Sequence, residues 1–318
     1  MNMDDVKVLV EKCRELLDNY LVEDVLSAEN ADSRVCAIYF SSNGLVPPPK
    51  TVERCCREIL IKNRFEWYGT RIARACRHIF VRDVDLIWYR KGISTRCSSV
   101  KEVVEVLKPL TEGYEVVCVG SSAGGYASML FACLLNAKMC FAFSPCMDVR
   151  RFVLKNRESR KSEYWQEKYD ALVNDPDEFS NLGKLCAGHG NSVYAYFPTK
   201  SELDAEELKD AHAVPCIRLF LHDSKVHGFS FSRAVAERLI NLSHEELTGL
   251  YSGKVLTDRE IAATLAVDIR EVSAKKKTLK YKYGKYGADN LWEYLWASTL
   301  FKAYRKLREY FQKRGMAV

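Results

Sequence analysis

"VVCVGSSAGGYASMLFACLL", residues Val116–Leu135, decides the fold. Apolar residues run into Gly120-Ser121-Ser122-Ala123-Gly124-Gly125, and the chain then turns apolar again with helical spacing. A buried strand that ends in such a knot has three readings: a phosphate-cradling loop, a nucleophile on a sharp turn, or an ordinary tight turn. The phosphate reading fails on residue chemistry. A G-x-x-x-x-G does run from Gly120 to Gly125, but a P-loop needs Lys and Ser/Thr next, where Tyr126 and Ala127 stand. No dinucleotide G-x-G-x-x-G occurs either. Gly120-Ser121-Ser122-Ala123-Gly124 is instead G-x-S-x-G between a strand and a helix, the context a nucleophile elbow requires. The bend leaves no room for side chains at Gly120 and Gly124. It lifts the Ser122 hydroxyl above the sheet and aims the Ala123 N–H at any oxyanion formed there. Gly125 lets the helix lie close on its strand, and Ser121 is given no part.

Outward from this stretch, short apolar runs alternate with helical spacing from Val35 to Leu242. The predicted strands are 35–42, 78–89, 115–120, 138–145, 192–198 and 216–222. Predicted helices cover 4–26, 65–77, 98–110 and 124–135. Ser99, with Glu102 three residues on, suits the N-terminus of the third. The fold class is therefore α/β, a mainly parallel sheet with helices on both faces. A charged, aromatic segment around 148–190 interrupts the rhythm as a helical insertion.

Ser122 needs a base, and the base needs a carboxylate to orient it. Six histidines are available. His227 is the expected base, because it follows the last strand in a loop where Gly228 permits a tight turn; His222 is the rival, still on the strand. Asp204 in "TKSELDAEEL" (residues 199–208) is the expected acid, with Glu202 close behind and Asp148 and Asp223 as weaker rivals. The alternative for Asp204 is an ordinary place in the first turn of a solvated helix. A second oxyanion donor is expected from "SSNGLVPPP" (residues 41–49), at Ser42, Asn43 or Gly44.

The chain order Ser122, Asp204, His227 and the elbow "GSSAGGYAS" resemble the α/β-hydrolase fold over residues 35–242. "AIYFSSNG", "FVRDVDLIWYRKGI", the opening stretch and "FAFSP" together resemble hydrolase-like proteins of bacterial surface-polysaccharide and glycoprotein-export loci, including the acetyl-transferring hydrolase-like component of accessory secretion systems. No H-G-G-G motif accompanies the expected oxyanion loop. The resemblance implies a serine esterase or acyltransferase, needing no cofactor or metal, whose substrate is a small-molecule or glycan ester. Other classes of function are a catalytically inactive hydrolase-fold scaffold in glycan assembly or export, and a nucleic-acid-binding protein acting through the C-terminal region.

Composition sets the compartment and the tail. With 47% hydrophobic and 28% charged residues, the 318-residue chain can bury a core. No apolar run reaches the about 18 residues of a membrane span, and "MNMDDVKVLVEKC" does not read as a secretory signal. Twelve cysteines form no C-x-x-C pair and no metal spacing, and several sit in apolar runs, so a reduced, cytoplasmic compartment is expected. Twelve Lys/Arg against three Asp/Glu fall within 275–318, so the net +6 hides a mildly acidic body and a basic tail.

The expected division is a hydrolase-like domain at 1–242 and a basic helical extension at 243–318. Within the extension, Thr257 and Glu260 form a capping box. Residues 256–277 have the pattern of a helix-turn-helix whose second helix would carry Arg270 and Lys275–Lys277, but the turn lacks its customary Gly and nucleic acid is not the expected partner. Trp292, Trp296, Leu300, Tyr304, Leu307 and Phe311 make one apolar stripe. Docking of that stripe on the body is expected, with peripheral contact to an anionic membrane as the alternative.

Overall fold

A computed structural model of the chain describes residues 3–25, 32–46, 56–156, 163–174, 178–189, 192–229 and 231–272. The stripe at 292–311 and the lysines at 275–277 lie outside these residues, as does the tail charge read from 275–318.

Among the described residues eight strands form one sheet. They are β1 (Tyr20–Asp24), β2 (Val35–Phe40), β3 (Arg77–Val81), β4 (Glu115–Ser121), β5 (Met139–Phe143), β6 (Ser192–Pro198), β7 (Ile217–His222) and β8 (Val255–Leu256). Their spatial order is β1-β3-β2-β4-β5-β6-β7-β8. β1 pairs antiparallel with β3, and every other pairing is parallel. The helices are α1 (Met3–Leu16), α2 (Val100–Thr111), α3 (Ala123–Leu134), α4 (Val149–Asn156), α5 (Glu163–Asn174), α6 (Leu182–Ala187), α7 (Ala205–His212), α8 (Arg233–Ile240), α9 (His244–Leu250), α10 (Asp258–Leu265) and α11 (Ile269–Val272). None is long and apolar enough to cross a membrane.

The strands read as unbroken apolar runs because both faces are covered. Alternate residues serve two different cores. Cys36, Ile38, Phe40, Val116, Cys118, Cys140 and Ala142 face α2 and α3. Ala37, Tyr39, Val117, Val119, Phe141 and Phe143 face the opposite way, against α8 to α11. α3 is buried along nearly its whole length, with Phe131 stacked on Phe40 at 5.1 Å. Truncating such a ring to alanine costs about 3–5 kcal/mol.

Three expectations are corrected. The helix predicted over 4–26 ends at Leu16, and the chain becomes the edge strand β1. The buried Asn19, at φ +60°, turns the chain there, its amide donating to the carbonyls of Cys13, Leu17 and Ile93. The strand predicted over 78–89 stops at Val81. The buried Asp83 carboxylate accepts the backbone N–H groups of Asp85, Leu86, Ile87 and Tyr89, which curls the chain into turns instead of a ladder. The helix predicted over 65–77 is instead a series of turns up to Cys76, with Arg77 opening β3, and its Phe65, Trp67 and Ile72 pack in the core on one face of the sheet. Its amides meet sheet side chains rather than carbonyls four residues back: Ile72 N donates to Tyr39 Oη and Glu66 N to Ser41 Oγ.

Past the expected boundary at 242, the chain supplies β8 to the same sheet, and Leu250, Ile261, Leu265 and Val272 pack in the same core. The capping box at Thr257 and Glu260 is present, and Ala266 takes the left-handed conformation (φ +52°) at the end of α10.

Candidate active site

The carboxyl ends of β4, β6 and β7 point to the same end of the sheet, with β5 between β4 and β6, and the loops leaving them meet above it, where ligands bind in open parallel sheets. Between β4 and α3 the turn is as sharp as the motif demands. A Cβ on Gly120 would stand 1.9 Å from the Gly124 carbonyl oxygen, and one on Gly124 would stand 2.2 Å from that of Phe40. Ser122 between them has φ +55° and ψ −118°, a conformation L-residues rarely adopt. Its N–H donates to Phe143 O (2.8 Å) and its carbonyl accepts from Tyr126 N (3.0 Å), so the strained backbone is tied on both sides. The Ser122 side chain makes no helix-capping bond, which leaves the hydroxyl to reach across the site.

Ser122 Oγ lies 2.9 Å from His227 Nε2. His227 Nδ1 lies 3.0 Å from both carboxylate oxygens of Asp204. Because a carboxylate only accepts, Nδ1 carries the proton it donates to Asp204, and Nε2 of the neutral ring is left to accept the Ser122 O–H. Asp204 is 1% exposed while the His227 side chain is 32% exposed. The acid is dry and the imidazole opens toward solvent. Asp204 stands at the N-cap position just before α7, not inside its first turn, is buried, and its side chain makes no cap bond.

The acid and base loops are joined before they reach the serine. Pro198 pairs with His222 at the strand ends, Thr199 N donates to His222 O (2.8 Å), and Lys200 N to Ser224 O (2.9 Å). Lys200 Nζ and Asp223 close the pair with a 2.5 Å ion pair. The rivals are placed elsewhere. Glu202 is exposed. Asp148 accepts from Arg151 N and Asn181 Nδ2. His222 is fully buried between Tyr196 Oη (2.8 Å) and Asp258 Oδ1 (2.7 Å), and burial pushes its pKa below the usual histidine range despite the opposing pull of Asp258.

The loop after β2 is a 3-10 turn, Asn43–Leu45. Of the expected donors, Gly44 is corrected: its N–H donates to Ser42 Oγ (2.9 Å). Ser42 N is also engaged, donating to Glu66 Oε2 at 2.5 Å. Asn43 is the first residue of that 3-10 turn, and Ala123, as the first residue of α3, has an N–H without an intrahelical acceptor.

Sequence reasoning passed over three residues. Glu66 clamps the loop after β2 through Ser42 N and Ser42 Oγ (3.0 Å). Ser144 and Ser121 hold the residues after His227: Gly228 N donates to Ser144 Oγ (3.0 Å) and Phe229 N to Ser121 Oγ (3.2 Å). No spacing announces these contacts, which join segments 24, 84 and 108 residues apart.

No family model matches the sequence, and no curated protein does. Solved structures do show likeness. A protein of unknown function from Staphylococcus aureus subsp. aureus Mu50 is 13% identical, covering 73% of this chain and 94% of that one, with a TM-score of 0.43. The capsule O-acetyltransferase of Neisseria meningitidis serogroup A is 14% identical, covering 64% and 83%, with a TM-score of 0.43. S-formylglutathione hydrolase from Staphylococcus aureus is 10% identical, covering 73% and 98%, with a TM-score of 0.41. The fold is read from this chain's own features: a mainly parallel sheet, the strained elbow between β4 and α3, and the order Ser122, Asp204, His227 fit the α/β-hydrolase architecture.

Proposed function

We propose that the protein is a serine-nucleophile esterase or acyltransferase, with Ser122, His227 and Asp204 as its catalytic residues. The observation that carries this reading is the unbroken line of hydrogen bonds from Ser122 Oγ through His227 to the buried Asp204. Ser122 Oγ attacks an ester carbonyl carbon as its proton passes to His227 Nε2. The imidazolium so formed faces the Asp204 carboxylate, and the oxyanion meets the Ala123 and Asn43 N–H groups. The C–O bond to the leaving alcohol breaks as His227 returns the proton to it, leaving an acyl-serine. Water or a second hydroxyl then attacks the acyl carbon, His227 again taking and returning the proton.

The half-exposed setting of Ser122 and His227 suits an ester carried on a larger molecule. An acetylated glycan is the substrate class that the sequence resemblance implies. Hydrolysis of p-nitrophenyl acetate, compared between the wild-type protein and Ser122→Ala, tests the reading. Burst release of one equivalent of p-nitrophenol, lost in the variant, is the expected result. Equal turnover by both proteins would sink it.

A further inference from the structure

The base of the proposed triad sits on a loop, and a loop holds a side chain less firmly than a strand or helix does. Two hydroxyls compensate. Ser144 Oγ accepts the N–H of Gly228 at 3.0 Å, and Ser121 Oγ accepts that of Phe229 at 3.2 Å. Both serines are buried, and they stand at the ends of neighbouring strands, Ser121 on β4 and Ser144 just past β5. They grip the two residues that follow His227, each by its backbone. Phe229 adds packing, its ring 4.6 Å from that of Phe143 and 5.7 Å from that of Trp67.

Ser144 carries a second mark. Its φ is +48°, in the region where glycine is free and other residues are strained. Its backbone there is bonded, Ser144 N donating to Tyr196 O at 2.8 Å. Glycine would satisfy the same backbone path and relieve the strain; what serine adds is the oxygen that meets Gly228.

We infer that Ser144 and Ser121 are positioning residues that hold the His227 loop, so that the imidazole spans Ser122 and Asp204. This rests on the esterase reading for its consequence in turnover, but the geometry it claims can be measured without turnover. The proton that His227 Nδ1 shares with Asp204 should resonate far downfield of the backbone amides in a one-dimensional proton spectrum, and it exchanges faster with water when the pair loosens.

The experiment uses the full chain with Ser144→Gly, Ser121→Ala and the double variant, recording this resonance, thermal melting, and kcat and KM for p-nitrophenyl acetate. Ser144→Gly should broaden or abolish the resonance, lower kcat by about tenfold with KM little changed, and leave the melting temperature close to wild type. Ser121→Ala should do the same more weakly, in keeping with its longer bond, and it decides the matter if Ser144→Gly folds poorly. A resonance lost in the variants of a protein that shows no esterase activity would uphold the clamp while sinking the functional reading. A sharp resonance and unchanged kcat in the double variant would overturn the clamp.

Discussion

Two hydroxyl–imidazole–carboxylate chains stand side by side in this molecule. One runs from Ser122 through His227 to Asp204, the other from Tyr196 through His222 to Asp258. The residue types and distances are alike, but the settings are opposite. Tyr196 and His222 are fully buried, the phenol ring packed among Phe143, Phe220 and Phe231. Ser122 sits on a strained turn, half-exposed, with a glycine close on either side and the helix α3 opening behind it. A hydrogen-bonded imidazole is thus no sign of chemistry by itself. Inside the core it satisfies polar groups that would otherwise be costly to bury. At the elbow it meets a hydroxyl that a substrate can reach.

The largest expected effects fall on the open chain alone. His227→Ala and Asp204→Asn should each lower kcat by about 10⁴-fold, as loss of a triad partner does. His222→Asn should leave turnover near wild type and lower the melting temperature instead. Steady-state kinetics beside thermal melting reads both. An inactive His222→Asn with an active His227→Ala would reverse the roles of the two histidines.

The buried histidines should show themselves in acid. Burial lowers the pKa of His222, and it lowers that of His78 to about 4, with Arg71 adding to the effect. Folding therefore holds both neutral, and below pH about 6.5 the unfolded chain takes up protons that the folded one does not. Stability is lost as pH falls from 6.5 toward 4, by about 3 kcal/mol for His78 alone. Urea unfolding across this range should show the loss, and His78→Phe should flatten it.

Smaller changes probe the elbow. Gly120→Ala should cost about 1–3 kcal/mol of stability, because its methyl group would meet the Gly124 carbonyl. A Gly120→Ala protein as stable as wild type would mean that the turn relaxes more freely than its contacts imply. Smallest is the oxyanion loop. Glu66→Gln keeps one acceptor for Ser42, so kcat should fall by less than the about 10²-fold that removing an oxyanion donor costs.

The site was legible in sequence because each of its parts carries a local signal. Gly120 and Gly124 bracket Ser122, and Asp204 and His227 each follow an apolar run that ends where its strand ends. What the sequence hid depends on polar groups meeting at a distance, or on one side chain capturing many amides. "FVRDVDLIWY" looks like a continuing strand, yet Asp83 draws four amides to itself, and Leu86, Trp88 and Tyr89 take positive φ. Residues 20–24 continue the amphipathic pattern of α1, and only Asn19 marks the break. Gly44 has the right place for an oxyanion donor, but the Ser42 hydroxyl two residues back takes its N–H. Ser144 lies in "FAFSP" with no pattern around it, because its role appears only when β5 and the His227 loop meet.

The most direct test of the central claim is to treat the protein with a fluorophosphonate and locate the adduct by peptide mass spectrometry. A single adduct on Ser122, absent in Ser122→Ala and strongly slowed in His227→Ala, is the predicted result. No adduct on the folded protein, or an adduct that persists on another residue when Ser122 is removed, would contradict it.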